Sequence, residues 1–210
     1  MTIAYPLSLP SALSVARVTF RATSQVGMTR SPFTGAQQSY AWGSQQLAAE
    51  IVCPPIRARA DAEEVVAFLL SLRGMHGSFL LGPVVGTSIR GSGAGTPLVN
   101  GASQTGETLD TDGWTASSSG VLLPGDWFEV TCGGVRRLHK NLTQADANGG
   151  GQATLDIFPI LRGSPADDAA LDLTAPLGQF MLASNVSEWS IEEAQFYGVS
   201  FSAVEDLRDI

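Results

Sequence analysis

Lysine occurs once in the 210 residues, and histidine and cysteine twice each. No stretch approaches the ~18 continuous apolar residues that a membrane-crossing helix needs. Each scarcity excludes something. Lys140 and a scatter of arginines, with Arg136-Arg137 the only adjacent pair, stand against 20 acids and leave a net charge of −8. That balance argues against a nucleic-acid partner, because binding by counterion release needs clustered cations. Cys53 and Cys132 show no paired spacing, so neither a disulfide framework nor a zinc site is signalled, and both are expected as buried thiols. His76 and His139 have no acid nearby at ligand spacing and are expected as structural or surface residues. The opening Met1-Thr2-Ile3-Ala4-Tyr5-Pro6 lacks a basic region followed by an apolar run, so neither a cleaved signal nor membrane insertion is expected.

Catalytic signatures are equally sparse. There is no G-x-S-x-G nucleophile elbow, and neither cysteine has the surroundings of a thiol nucleophile. The run Gly91-Ser92-Gly93-Ala94-Gly95-Thr96 lacks the Gly-Lys-Ser/Thr ending and the following helix of a phosphate loop. Asp146-Ala147-Asn148-Gly149-Gly150-Gly151 resembles a calcium loop, but Ile157 stands where the bidentate glutamate belongs, so a hairpin turn is expected. Glu63-Glu64, Asp167-Asp168 and Glu192-Glu193 could serve glycoside cleavage only at a set separation that adjacent acids rarely reach. Trp114, Trp127 and Trp189 offer a sugar-stacking platform or, alternatively, core aromatics, with Trp127 and Phe128 facing opposite sides of one strand. The reading is a non-enzyme with no cofactor and no metal.

What is present is a mainly β pattern, with a hydrophobic fraction of 44% that is enough for a packed core. Leu13 to Phe20 partly alternates and is rich in β-branched residues, Gln38 to Pro54 reads as one or two strands, and a sheet edge is expected here. Ser31-Pro32-Phe33-Thr34-Gly35 between them is a turn, with Pro32 presetting φ and Gly35 permitting φ > 0. A helix is expected near 61–73, capped by Asp61 with Glu64 reaching back. Its buried stripe is Val65, Phe68, Leu69 and Leu72, and Gly74 ends it. Gly77 to Gly82 is a short strand. Glycine, serine and threonine then dominate to about Gly120, followed by strand-like runs at Gly125–Val130, Val135–Leu142 and Gln152–Phe158, and later at Gly178–Ala183 and Trp189–Val204. The expected architecture is an antiparallel β-sandwich with one packed α-helix, built from 1–82 with 164–210. A small β-barrel or sandwich is inserted over 83–163.

These segments together resemble the distal tail proteins of long, flexible-tailed bacteriophages, prophages and gene-transfer particles. The resemblance rests on Tyr5-Pro6-Leu7-Ser8-Leu9-Pro10, on Ser31 to Gln38 with Trp42 after it, on Cys53-Pro54-Pro55, and on Ala67 to Gly74 leading into Gly77–Gly82. It continues through Gly125-Asp126, the glycine hairpin, Ile157 to Arg162, Pro176-Leu177-Gly178, Phe180, Leu182 and Phe201 to Glu205. The resemblance implies a structural virion protein of the tail tip. It would form a hexameric ring that joins the tail tube to tip or baseplate hub proteins, with a second β domain of galectin or oligonucleotide-binding barrel type projecting outward. A ring through which DNA passes should not bind it, and an acidic balance fits that. The alternatives are another minor tail protein, or a host-recognition module that binds a surface glycan. Ser31, Pro32, Phe33, Thr34, Gly35, Gln37 and Gln38 form the candidate subunit-contact loop, a stiff turn with one apolar anchor and neutral amides. A hairpin that merely reverses the chain is the plainer alternative.

Overall fold

The computed structural model describes residues 3–84, 88–192 and 196–208. Two antiparallel sheets organise the chain. The first holds β1 (Arg17–Arg30), β2 (Gln37–Val52), β3 (Ser78–Leu81), β9 (Gly178–Leu182), β10 (Trp189–Ile191) and β11 (Tyr197–Glu205) in the order β1-β2-β11-β9-β3, with β10 beside β11. The second holds β4 (Gly95–Val99), β5 (Gly106–Trp114), β6 (Trp127–Cys132), β7 (Val135–Asn141) and β8 (Ala153–Leu161) in the order β4-β5-β8-β7-β6. The second sheet is thus inserted between β3 and β9 of the first. The fold is mainly β and antiparallel with a single α-helix among the described residues, as the patterning implies.

The helix, α1, spans Arg59–Ser71. It begins two residues before the expected Asp61. Ala58 occupies the cap position without a side-chain hydrogen bond, and Asp61 instead sits in the first turn, where a carboxylate meets the positive end of the helix dipole. The expected stripe is buried: Val65, Phe68, Leu69 and Leu72 pack with Ile51, Phe79, Leu81 and Phe180 of the first sheet. The helix stops where Arg73 and Gly74 turn left-handed, at φ 52° and 66°.

The second sheet closes into a barrel through a segment that the sequence disguises as a polar loop. Asp168 N–H and Leu171 N–H donate to Val99 and Pro97 of β4 (3.0 and 3.1 Å), while Asp172 exchanges two 3.0 Å bonds with Glu129 of β6. Residues 165–172 therefore bridge the two edge strands, and the barrel runs past the boundary expected at 163. Its interior is packed with Leu109, Trp114, Phe128, Val130, Leu155 and Ile157. The buried Asp126 carboxylate ties down the barrel's entry by accepting N–H bonds from Arg90, Gly91 and Leu123, each 2.9 Å. The glycine hairpin forms as read: Asn148 Oδ1 accepts from Gly150 N–H (2.8 Å) and Gln152 N–H (3.0 Å) at the mouth of β8.

The two units share a core. Leu138 joins the buried cluster of the first sheet, with Trp127 and Phe158 packed against it, so one wall of the barrel serves as the second layer of the sandwich. Trp127 and Phe128 do face opposite ways, Trp127 toward Phe20 (ring centroids 5.2 Å) and Phe128 into the barrel.

Candidate assembly surface

β1 and β2 pair over their whole lengths, from Arg17 opposite Val52 to Arg30 opposite Gln37. β1 begins at Arg17, later than the expected Leu13, and runs ten residues past Phe20. Only the inner third of this hairpin is built into the core, where Leu47, Ala49 and Ile51 are buried. The rest is an arm. At its waist the register shifts between Ser24–Gln45 and Gln25–Trp42, so Gly43 and Ser44 bulge from β2. Beyond the bulge six residue pairs project, roughly 20 Å at the strand rise of about 3.3 Å per residue.

The tip is closed by its own hydrogen bonds. Ser31 N–H donates to Ala36 O (2.8 Å), Gly35 N–H to Ser31 O (3.0 Å), and the Ser31 hydroxyl accepts from Thr34 N–H (3.3 Å). Gly35 sits at φ 70°, as the turn reading requires. The structure gathers Ser31, Pro32, Phe33, Thr34 and Gly35 at the very end of the arm, with Phe33 95% exposed. Gln37 and Gln38 are not in the loop. They open β2 opposite Arg30 and Thr29, with their side chains in solvent.

Four exposed apolar residues of the arm escaped the sequence reading as a group: Val26, Met28, Tyr40 and Trp42. Strand alternation divides them, Tyr40 and Trp42 on one face and Val26 and Met28 on the other. Tyr40 and Trp42 pack edge to face at 5.2 Å, and Trp42 lies over Gly27, where a β-carbon would stand 2.9 Å from the indole nitrogen. Both faces of the arm are thus apolar, and Arg30 is the sole charge between residues 25 and 42. The outer edge of β1 has no strand neighbour among the described residues.

The root of the arm is clamped to the barrel. Arg162 donates to Gly43 O (3.2 Å) and Gln45 O, and Ile160 N–H donates to Gln45 Oε1 (3.0 Å). Behind them lies a buried charged junction. Arg137 of β7 donates to Asp206 O and lies 3.6 Å from the Glu205 carboxylate, which accepts from Leu47 N–H of β2 (3.4 Å). Burial pushes the Glu205 carboxyl up, and Arg137 pulls it back. Arg136, by contrast, forks onto Glu129 with both carboxylate oxygens engaged. The one adjacent arginine pair is therefore spent inside the fold and offers no basic patch.

The remaining sequence features are dispersed. His76 meets Tyr5 edge to face, and His139 is buried against Phe128. Trp114 is buried and donates to Thr111 Oγ1 (2.8 Å), Trp127 is half-buried under Lys140, and Trp189 lies on the other sheet. A sugar-stacking row of these three tryptophans is not formed. Glu63 pairs with Arg59 on the helix surface, Asp167 accepts from Gly101 N–H, and Glu193 lies outside the described residues. Cys53 and Cys132 are both free and buried. Burial raises both thiols, Cys132 to about 11, with Arg137 opposing and Glu205 adding. Neither should react with a maleimide in the folded chain at pH 7, and both should react in denaturant; rapid labelling of either in the native state would contradict this packing.

No protein-family model matches the chain, and no curated protein matches it.

Proposed function

We propose that the chain is a structural protein of the tail tip of a long, flexible-tailed phage or a related particle. It self-associates into a ring of six that joins the tail tube to tip or baseplate hub proteins. It acts by docking and not by catalysis. The observation that supports this reading best is the arm: a two-stranded ribbon with apolar side chains on both faces, one charge and an open edge. An isolated ribbon of two strands is marginal in water, so this one calls for a surface to cover it. Open edges take up further strands, and identical copies are the commonest source of them. The net charge of −8 supports a channel that lets DNA pass without holding it.

Phe33→Asp combined with Trp42→Ser tests the reading. Native mass spectrometry should find a six-chain species for the parent chain. The variant, with an unchanged circular dichroism spectrum and melting temperature, should assemble about a hundredfold more weakly, the loss typical of two central interface aromatics. Unaltered assembly of the folded variant would remove the arm from the account.

A further inference from the structure

The arm of one copy needs a receiving surface on the next, and the first sheet carries one at its other end. We infer that the groove flanking β10 receives the arm tip of a neighbouring copy, with Phe33 seated in it and Arg30 paired to Glu188. This rests on the assembly reading above and adds the address of the contact.

Two cavities of about 300 and 400 Å³ lie along this groove and share Glu188 and Ser200. The first is lined by Leu182, Val186 and Phe201 with Glu50, the second by Val52, Trp189 and Val199. Val186, ahead of β10, and Trp189 and Ile191 on this three-residue edge strand are 66%, 40% and 62% exposed and make an apolar patch. The segment that carries it holds charge of one sign. Between Ser184 and Glu192 stand Glu188 and Glu192 and no base. Glu50 is already engaged by Arg21 of its own chain at 2.8 Å, whereas Glu188 has no ion-pair partner among the described residues.

The arm tip is the complement. Arg30 is its only charge, and its guanidinium lies 3.6 Å from where a β-carbon on Gly35 would stand, so the cation is at the turn that carries the exposed Phe33. Apolar anchor and cation thus share the arm tip, as pocket and carboxylate share the groove. Opposite charge at the rim steers and registers such a contact, and the aromatic anchor supplies most of its strength.

An arm tip seated in this groove must come from a second copy. Glu50 and Val52 mark the groove on β2 itself, and the tip lies thirteen or more residues further along the same strand, roughly 40 Å away. A hydrogen-bonded ribbon clamped at its waist by Arg162 cannot fold back over that distance. Arm and groove are different surfaces of one chain, so their union is head-to-tail, the geometry that gives a ring when its rotation closes.

The test pairs a cross-link with a charge swap. Thr34→Cys in one preparation and Ser187→Cys in another, both also carrying Cys53→Ala because Cys53 lines the second cavity, are mixed and treated with a short bis-maleimide; Cys132 is buried in the barrel and stays silent. The mixture should give a covalent two-chain product that neither preparation gives alone. Arg30→Glu and Glu188→Arg should each weaken assembly about tenfold or more, and the two together should restore it. If the Phe33→Asp, Trp42→Ser variant fails to assemble, yet no cross-link forms and the swap restores nothing, the arm reading stands and this address is wrong. If that variant assembles like the parent, or the parent is monomeric at every concentration, the assembly reading itself falls and takes this inference with it.

Discussion

Replacing Glu205 by alanine should destabilise the fold by about 3–5 kcal/mol, the range found when one partner of a buried ion pair is removed. The Arg137 side chain is 1% exposed, and its partner carboxylate is 5% exposed. Arg137 Nη1 keeps the Asp206 carbonyl, but Nε and Nη2 have no hydrogen-bond partner among the described residues, so the carboxylate is what answers the charge. Without it the buried guanidinium is left in the seam between barrel and sheet without its counterion. The loss extends beyond stability. Glu205 also accepts from Leu47 N–H, and Gln46 donates to its main-chain oxygen (3.2 Å), so the same side chain and strand end hold the inner end of the arm. Urea titration of the parent, Glu205→Gln, Glu205→Ala and the double variant Arg137→Met, Glu205→Leu measures this directly. The double variant should recover most of the loss, because an apolar pair of similar volume carries no desolvation penalty. A Glu205→Ala loss below 1 kcal/mol would mean that the arginine is not buried as described.

Acidification should weaken the fold from about pH 6.5 downward, through one buried imidazole. His139 lies inside the barrel, stacked on Phe128, and its Nδ1–H donates to Pro159 O at 2.8 Å. Nε2 has no partner among the described residues, so a second proton would arrive in an apolar space facing the like charges of Arg137 and Arg162. Burial foremost, then those two arginines, hold the imidazole down to about 4 from 6.5, against the pull of the Pro159 carbonyl. The folded chain therefore binds this proton less readily than the unfolded chain does. The stabilisation is complete above pH 6.5 and is lost as the pH falls toward 4. At about 1.4 kcal/mol per tenfold change in proton affinity, the loss reaches about 3 kcal/mol. Urea midpoints should fall across that window in the parent and lose most of that fall in His139→Phe. An equally steep fall in both would assign the acid sensitivity elsewhere. Asp206 adds to it only at lower pH: burial alone would raise this carboxyl, but hydrogen bonds from Arg208 and Gln179 together keep it at about 2.

Much of the scaffold could be read because local signals there agree with the fold. The stripe of Val65, Phe68, Leu69 and Leu72 has the period of a helix with one buried side, and Asn148 with the following glycines can only reverse the chain. The arm could not be measured from sequence for the opposite reason. Alternation reports a strand only where one face is buried, and from Arg21 to Ser44 nearly every residue is exposed on both faces. Pro32 and Gly35 therefore marked the turn, but Val26, Met28, Tyr40 and Trp42 gave no sign that they stand uncovered together. The barrel's closing segment was missed because it pairs through a few main-chain bonds around Asp168, Leu171 and Asp172, whose composition is that of a loop. Arg137 was missed as well, since an Arg-Arg dipeptide reads as surface and nothing nearby in sequence names Glu205, 68 residues later.

Native mass spectrometry of the parent chain beside one in which residues 25–42 are replaced by a two-residue Asn-Gly turn tests the central claim most directly. The shortened hairpin keeps every residue buried in the sheet, so both chains should fold. The account predicts a six-chain ring for the parent and a monomer for the shortened chain. A ring that survives the loss of the arm would contradict it, as would a parent that stays monomeric at every concentration.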